Sequence, residues 1–132
     1  MANKMKPSIL SLLLVMLAGN SASADVIHCL FTEPFVATTY QMSRQTLTIR
    51  EYSETPKVIR NVSFQIKGPS SFELVSSDGK VLQELNLNRK GSDGMSDNLY
   101  PYDVKDFSIQ SGARFLFGGC SSNHLKVEPG NP

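Results

Sequence analysis

The chain has no tryptophan, only two cysteines and two histidines, and aromatics make up just 8% of its 132 residues. Without tryptophan, core volume must come from Phe, Leu, Ile, Val and Tyr. Two histidines and two cysteines, the latter expected to be oxidised, are too few for a zinc site of three or four ligands. Cys-x-x-Cys is absent, which removes the usual redox spacing. No Gly-x-Ser-x-Gly elbow is present to activate a serine, so the scattered Ser, His and Asp residues do not form a hydrolase motif. The balance of 13 basic against 12 acidic residues argues against a nucleic-acid partner, which usually requires a clustered basic face. Beyond the N-terminus no run is long and apolar enough to cross a bilayer.

The one apolar run begins the chain. Lys4 and Lys6 precede Ile9 to Ala18, a stretch of about ten residues and too short to span. Ala22-Ser23-Ala24 follows in the arrangement that a signal peptidase reads, so residues 1–24 are expected to be a signal peptide and residues 25–132 a single domain. Losing Lys4 and Lys6 takes the formal net charge from +1 to about −1. The expected product is periplasmic or secreted, monomeric, and free of any integral membrane segment after cleavage. In that oxidising setting Cys29 and Cys120 form one structural disulfide, closing a loop of roughly ninety residues worth ~4–5 kcal/mol before native strain is subtracted.

Short strands run throughout. Val26 to Phe31 and Phe35 to Met42 are apolar or β-branched, and Gln45 to Glu51 alternates with period two. Val58 to Ile66 reads as one alternating strand with Val58, Val62, Phe64 and Ile66 on one face. Ser71 to Ser76 and Lys80 to Asn88 flank Ser77-Asp78-Gly79, the strongest hairpin signal in the chain. Further strands are expected at Asp103 to Gln110, at Arg114 to Phe117, which leads into Gly118-Gly119-Cys120, and, shortest, at Leu125 to Val127, with a turn at Ser111-Gly112. The Pro-Gly-Asn-Pro tail should fray. The fold class is all-β: eight to nine short strands in a small antiparallel β-barrel or compact sandwich, because so many strands in so short a chain must otherwise leave open edges.

Thr32-Glu33-Pro34-Phe35, Ser92-Asp93-Gly94-Met95-Ser96-Asp97 with Tyr100-Pro101-Tyr102, and Gly119-Cys120 together resemble the motifs of a family of uncharacterised bacterial envelope proteins. That family pairs G-T-E-P-F-W with a later C-S-D-G-M-S-D-x-x-Y-P and a terminal Gly-Cys. About fifteen positions, spread over most of the domain, carry the resemblance. Phe31, Val36 and Gly91 stand where the family has glycine, tryptophan and its first cysteine. The family's bridge beside the loop therefore cannot form here, which turns Cys120 to Cys29. The resemblance implies an envelope setting, beside small barrels of the heat-shock-lipoprotein and lysozyme-inhibitor kinds, and supplies no activity.

The segment from Gly91 to Tyr102 is the candidate binding loop, with Asp93, Met95, Asp97, Tyr100 and Tyr102 as its contact residues. Amphipathic aromatics on a loop suit a contact surface, and tyrosines packing against the strands beneath explain them at least as well. Its Asp, Ser and Asn side chains serve equally to hold an irregular turn through backbone hydrogen bonds. Calcium could use the carboxylates, although the spacing does not fit the EF-hand pattern. Glu33 and Phe35 form a second candidate motif. Glu33 paired with Asp93 or Asp97 would make an acid–base pair for an envelope-glycan hydrolase. The expected function is a non-catalytic binding or inhibitor-like module acting on an envelope protein or glycan, without cofactor or metal. A structural or calcium-stabilised component is the alternative, and the hydrolase comes last.

Overall fold

A computed structural model describes residues 25–52, 54–109 and 114–130, so the signal peptide expected at residues 1–24 and the turn expected at Ser111-Gly112 lie outside the described residues. Nine strands are present: β1 (Val26–Phe31), β2 (Val36–Gln41), β3 (Thr46–Glu51), β4 (Lys57–Ile59), β5 (Ser63–Ile66), β6 (Ser71–Val75), β7 (Val81–Gly91), β8 (Tyr100–Asp106) and β9 (Leu116–Ser122). They form one antiparallel sheet in the order β4-β3-β2-β1-β9-β8-β7-β6-β5. The first and last strands thus meet in the middle, with Cys29 directly opposite Cys120 and the two joined as a disulfide.

The order dictates the curvature. Eight successive antiparallel pairings leave β4 and β5 pointing the same way, and only Arg60 to Val62 separates them. They are two halves of one interrupted strand, the first paired with β3 and the second with β6. A flat nine-stranded sheet would hold its edges roughly 38 Å apart at ~4.8 Å per strand. The connection between them can span only about 15 Å. The sheet must therefore curl into a barrel, with its seam at residues 60–62.

This corrects the single strand expected from Val58 to Ile66. Asn61 takes a left-handed conformation (φ 60°), which breaks the run. The two halves then face different surroundings: Val62 is fully buried, while Val58 and Ile66 are 47% and 73% exposed. The Val62 N–H donates to the Gln45 carbonyl (2.8 Å) and its carbonyl accepts from the Tyr40 hydroxyl (2.7 Å), fastening the seam to the β2–β3 turn.

Elsewhere period-two alternation fills the interior. Ile27, Cys29 and Phe31 of β1, Val36 and Tyr40 of β2, and Leu47 and Ile49 of β3 point inward, joined by Leu74, Leu85, Val104 and Leu116 from the other half. Phe64 stacks on Phe72 (5.2 Å between centroids), and Tyr102 meets Phe72 edge-on at 6.2 Å. The interior is not wholly apolar. Gln83, fully buried, donates to Thr38 Oγ1 (3.0 Å) and to Asp106 Oδ2 (2.7 Å). The other carboxylate oxygen of Asp106 accepts from Ser108 N, Ser108 Oγ and Ile109 N, which shapes the turn after β8.

Three boundaries differ from expectation. β8 begins at Tyr100, and β9 runs through Gly118, Gly119 and Cys120 rather than ending at the glycines. Leu125 to Val127 is not a strand. The chain there makes a single antiparallel bridge, Leu99 to Glu128, with hydrogen bonds of 2.8 and 2.9 Å. That bridge also holds the tail as far as Gly130, whose backbone lies so close to Asp97 that a Cβ would sit 1.7 Å from the Asp97 carbonyl oxygen. Asn131 and Pro132 lie outside the described residues.

Candidate functional site

The Asp-Ser-Gly character of residues 92–99 makes a loop, and β7 determines where it goes. Asn88 to Lys90, three residues, face the single Pro101 between the pairs Leu87↔Tyr102 and Gly91↔Tyr100, with Arg89 at φ 58°, so the end of β7 bulges. Gly91 passes so close to β8 that a Cβ would fall 1.9 Å from the Tyr102 carbonyl oxygen. The chain then folds back over the outside of the sheet. Gly119 pairs with Leu30, whose side chain is partly exposed, so its missing side chain would point outward. A Cβ there would stand 2.7 Å from Tyr100 Cγ and 2.9 Å from the Ser92 nitrogen. Glycine at 119 is the gap in which the Tyr100 ring and the loop lie flat. Val in place of Gly119 should cost about 3 kcal/mol in a denaturant titration, since rigid backbone and ring must move. Gly68→Ala, where the nearest atom is 3.8 Å away, should change stability by under ~0.5 kcal/mol.

Asp93 pins this flap. Its Oδ1 accepts from Met95 N and Ser96 N (both 2.8 Å), and its Oδ2 from Ser96 Oγ (2.8 Å) and the Tyr100 hydroxyl (2.9 Å). Burial alone would raise its pKa, but these donors outweigh burial and hold it at about 2. Tyr100 is pushed up to about 12, first by burial and then by its bond to Asp93 and the Asp93 charge. Gly94 takes φ 81° and lies against Thr32, whose hydroxyl donates to the Asp93 carbonyl. Thr32–Phe35, Ser92–Asp97, Tyr100 and Gly119 are therefore one packed unit on the outer surface.

The structure divides the residues singled out in the sequence. Asp93 and Tyr100 are 5% exposed each and bonded to one another, so they hold the loop rather than face solvent. Tyr102 is half-buried against the core, and burial, then the Asp25 charge, raises its pKa. Asp97 and Glu33 are exposed, while Met95 and Phe35 are 56% and 54% exposed. With all four donors satisfied on its two oxygens, Asp93 is committed as a turn anchor, not poised as a general acid, a base or a calcium ligand. Among the described residues no group of three or more His, Cys, Asp or Glu is placed to hold a metal ion. His28 lies 3.3 Å from the Thr39 hydroxyl, and His124 Nε2 is 2.7 Å from Asp25 Oδ1 at the outer edge.

What the pinned flap does create is a groove. Met95 forms one wall, opposite the outward row Leu30, Ala37 and Arg50 that successive register places side by side on β1, β2 and β3. Phe35 and Tyr52 stand at its edge, Tyr52 being 83% exposed. The volume is about 240 Å³ and the lining mostly apolar, with Arg50 and Glu51 as its charged members. Leu30 and Tyr52 were not expected as site residues. Leu30 carries a signal in hindsight: a leucine on the polar face of an alternating strand.

No family model matches this chain, and no curated protein or solved structure is significantly similar to it. Among the described residues no helix is long and apolar enough to cross a membrane.

Proposed function

We propose that this protein is an exported, non-catalytic binding module of the bacterial envelope, and that its contact surface is the groove between Met95 and Phe35. The observation that carries the reading is the convergence of Leu30, Phe35, Tyr52 and Met95, all exposed and apolar, from separate segments onto one groove. Large exposed side chains gathered in one place, next to a loop held rigid from within, suit a preorganised contact surface. Nothing comparable favours catalysis, because Asp93, the best-placed carboxylate of the loop, has no free role. The signal-like leader, the disulfide and the resemblance of the motifs to envelope proteins support export. A protein partner fits better than a glycan, since a shallow, mostly apolar groove resembles the centre of a protein–protein interface.

The test is capture from bacterial envelope extract by the oxidised domain, comparing wild type with Phe35→Ser/Met95→Ser. Both positions are more than half exposed, so the variant should keep its fold. Binding should fall at least tenfold, the loss of two anchors worth about 1–2 kcal/mol each. Equal capture by the folded variant would remove this surface from the account.

A further inference from the structure

One edge of the sheet is open. β5 (Ser63–Ile66) ends the strand order and pairs on one side only, with β6. Two hydrogen bonds fix which of its backbone groups face the free side. Lys67 N donates to the Ser71 carbonyl (2.8 Å), continuing the β5–β6 ladder, while Val62 N donates away from β6, to the Gln45 carbonyl (2.8 Å). Backbone groups alternate between the two sides of an antiparallel strand, so Ser63 and Gln65 serve β6 and the N–H and C=O of Phe64 and Ile66 point outward. Among the described residues no other strand or loop backbone receives them. Open edges are usually guarded by charge, proline or a covering segment. β4, at the other end of the strand order, begins with Lys57 and is followed by Arg60, whereas Ser63-Phe64-Gln65-Ile66 carries neither charge nor proline. Ile66 stands on this edge 73% exposed.

We propose that β5 pairs with the β5 of a second copy of this chain, antiparallel and about a two-fold axis at Gln65. The register follows from the backbone phase. An axis at Gln65 sets Phe64 opposite the partner's Ile66, and Ile66 opposite the partner's Phe64. Each outward N–H then meets an outward C=O, with a pair of hydrogen bonds in each opposed pair. The strand is its own complement, because the same donors and acceptors, two residues apart, serve both sides of the axis. Opposed side chains share a face, so Ile66 covers the partner's Phe64, itself only half-buried where it stacks on Phe72. The charges agree as well. Lys67 faces the partner's Ser63, not the partner's Lys67, and its ammonium lies 3.9 Å from Glu73 on its own β6. The incoming strand turns away at Gly68-Pro69, before it would meet Gln45 at the end of the free edge. The contact is smaller than a standard interface, so the dimer forms reversibly as concentration rises. The monomer expected from the sequence is then one half of a symmetric pair.

Sedimentation equilibrium of the oxidised protein from micromolar to millimolar concentration, with amide exchange alongside, tests the proposal. Wild type should dimerise as concentration rises. The amides of Phe64 and Ile66 should then exchange more slowly, while that of Gln65, already bonded within the β5–β6 ladder, should not change. Gln65→Lys sets two ammonium groups face to face on the axis, in the closer kind of antiparallel pair, and should weaken the dimer by about tenfold or more. Gln65→Glu should do the same, and the two variants mixed should pair again. Position 65 is exposed, and an unchanged melting temperature in dilute solution will show that both variants are folded. A wild type monomeric at every concentration, a dimer indifferent to charge at position 65, or no recovery in the mixture would each overturn it. Slowing of the Phe64 and Ile66 amides only when envelope extract is added would also overturn it, and would assign the edge to another protein's strand. Phe35→Ser/Met95→Ser should leave the dimer intact, so this inference and the groove reading can fail separately.

Discussion

Replacing Cys29 and Cys120 together with alanine should remove about 4 kcal/mol of stability, read as a lowered midpoint in urea. The size follows from where the bridge sits. It links residues separated by 91 positions, so in the unfolded chain it closes a loop that spans most of the domain. In the folded chain it lies at the joint where β1 meets β9, between the half built from β1–β4 and the half built from β5–β9. A domain of this size has a total stability of roughly 5–15 kcal/mol, so the loss is a large fraction of it. Both cysteines are buried, Cys29 beside Gln83, and the alanine pair also leaves unfilled space there. A loss under ~1 kcal/mol would mean that the β1–β9 ladder joins the two halves unaided.

Asp93→Ala should be the next most costly change, about 3 kcal/mol, because it strands four donors that now share one buried carboxylate. The damage should be local first. Residues 92–99 lose their pin, and their amides should exchange faster than those of β1 and β9. The same carboxylate predicts an acid limb. Its folded pKa is lowered to about 2, so its contribution is fully present above the ordinary carboxylate value near pH 4. That contribution, about 2 kcal/mol, is lost as pH falls from about 4 toward 2. Tyr100 works in the opposite sense, since its folded pKa is raised to about 12. Its contribution is present below about pH 10 and fades between there and pH 12. Asp93→Asn should flatten the acid limb, and a variant whose stability still falls between pH 4 and 2 as in wild type would assign that limb to other groups.

Much of this architecture could be read from the residues, and the misreadings have physical causes. Val26 to Phe31 matches β1 residue for residue, and Ser77-Asp78-Gly79 turns the hairpin between β6 and β7 as its composition requires, with Gly79 at φ 87°. Periodicity failed at Val58 to Ile66 because alternation reports one face at a time. It cannot show that a strand changes neighbours midway, as this one does at Asn61. The strand expected from Arg114 to Phe117 runs on through Gly118-Gly119, where absent side chains permit close approach: Phe31 stands against Gly118, and Tyr100 and Ser92 against Gly119. Tyr100 and Tyr102 suited either a contact surface or packing against the strands beneath, and only the burial of both decides for packing, because local sequence does not reveal that a loop folds back over its own strands. The buried Gln83–Thr38–Asp106 set was missed altogether, although Asp106-Phe107-Ser108 has the Asp-x-Ser form of a side-chain-capped turn.

The groove shows the same limit. Met95 and Phe35 were each singled out, but for different motifs, and it is the contact of Thr32 with the Asp93 carbonyl and with Gly94 that brings those motifs together. Leu30, Arg50 and Tyr52 complete the surface through strand register, which pairs Leu30 with Ala37 and Ala37 with Arg50.

The most direct test of the central claim is site-specific photocrosslinking in the bacterial envelope, with a photoreactive phenylalanine at position 35 and a control at Ile66, itself 73% exposed but remote from the groove. The account predicts a discrete crosslinked species from position 35 that position 66, where only a second copy of the chain should be captured, does not give, and its disappearance when Met95→Ser is added. Crosslinking that is absent at position 35, or identical at positions 35 and 66, would contradict a contact surface between Met95 and Phe35.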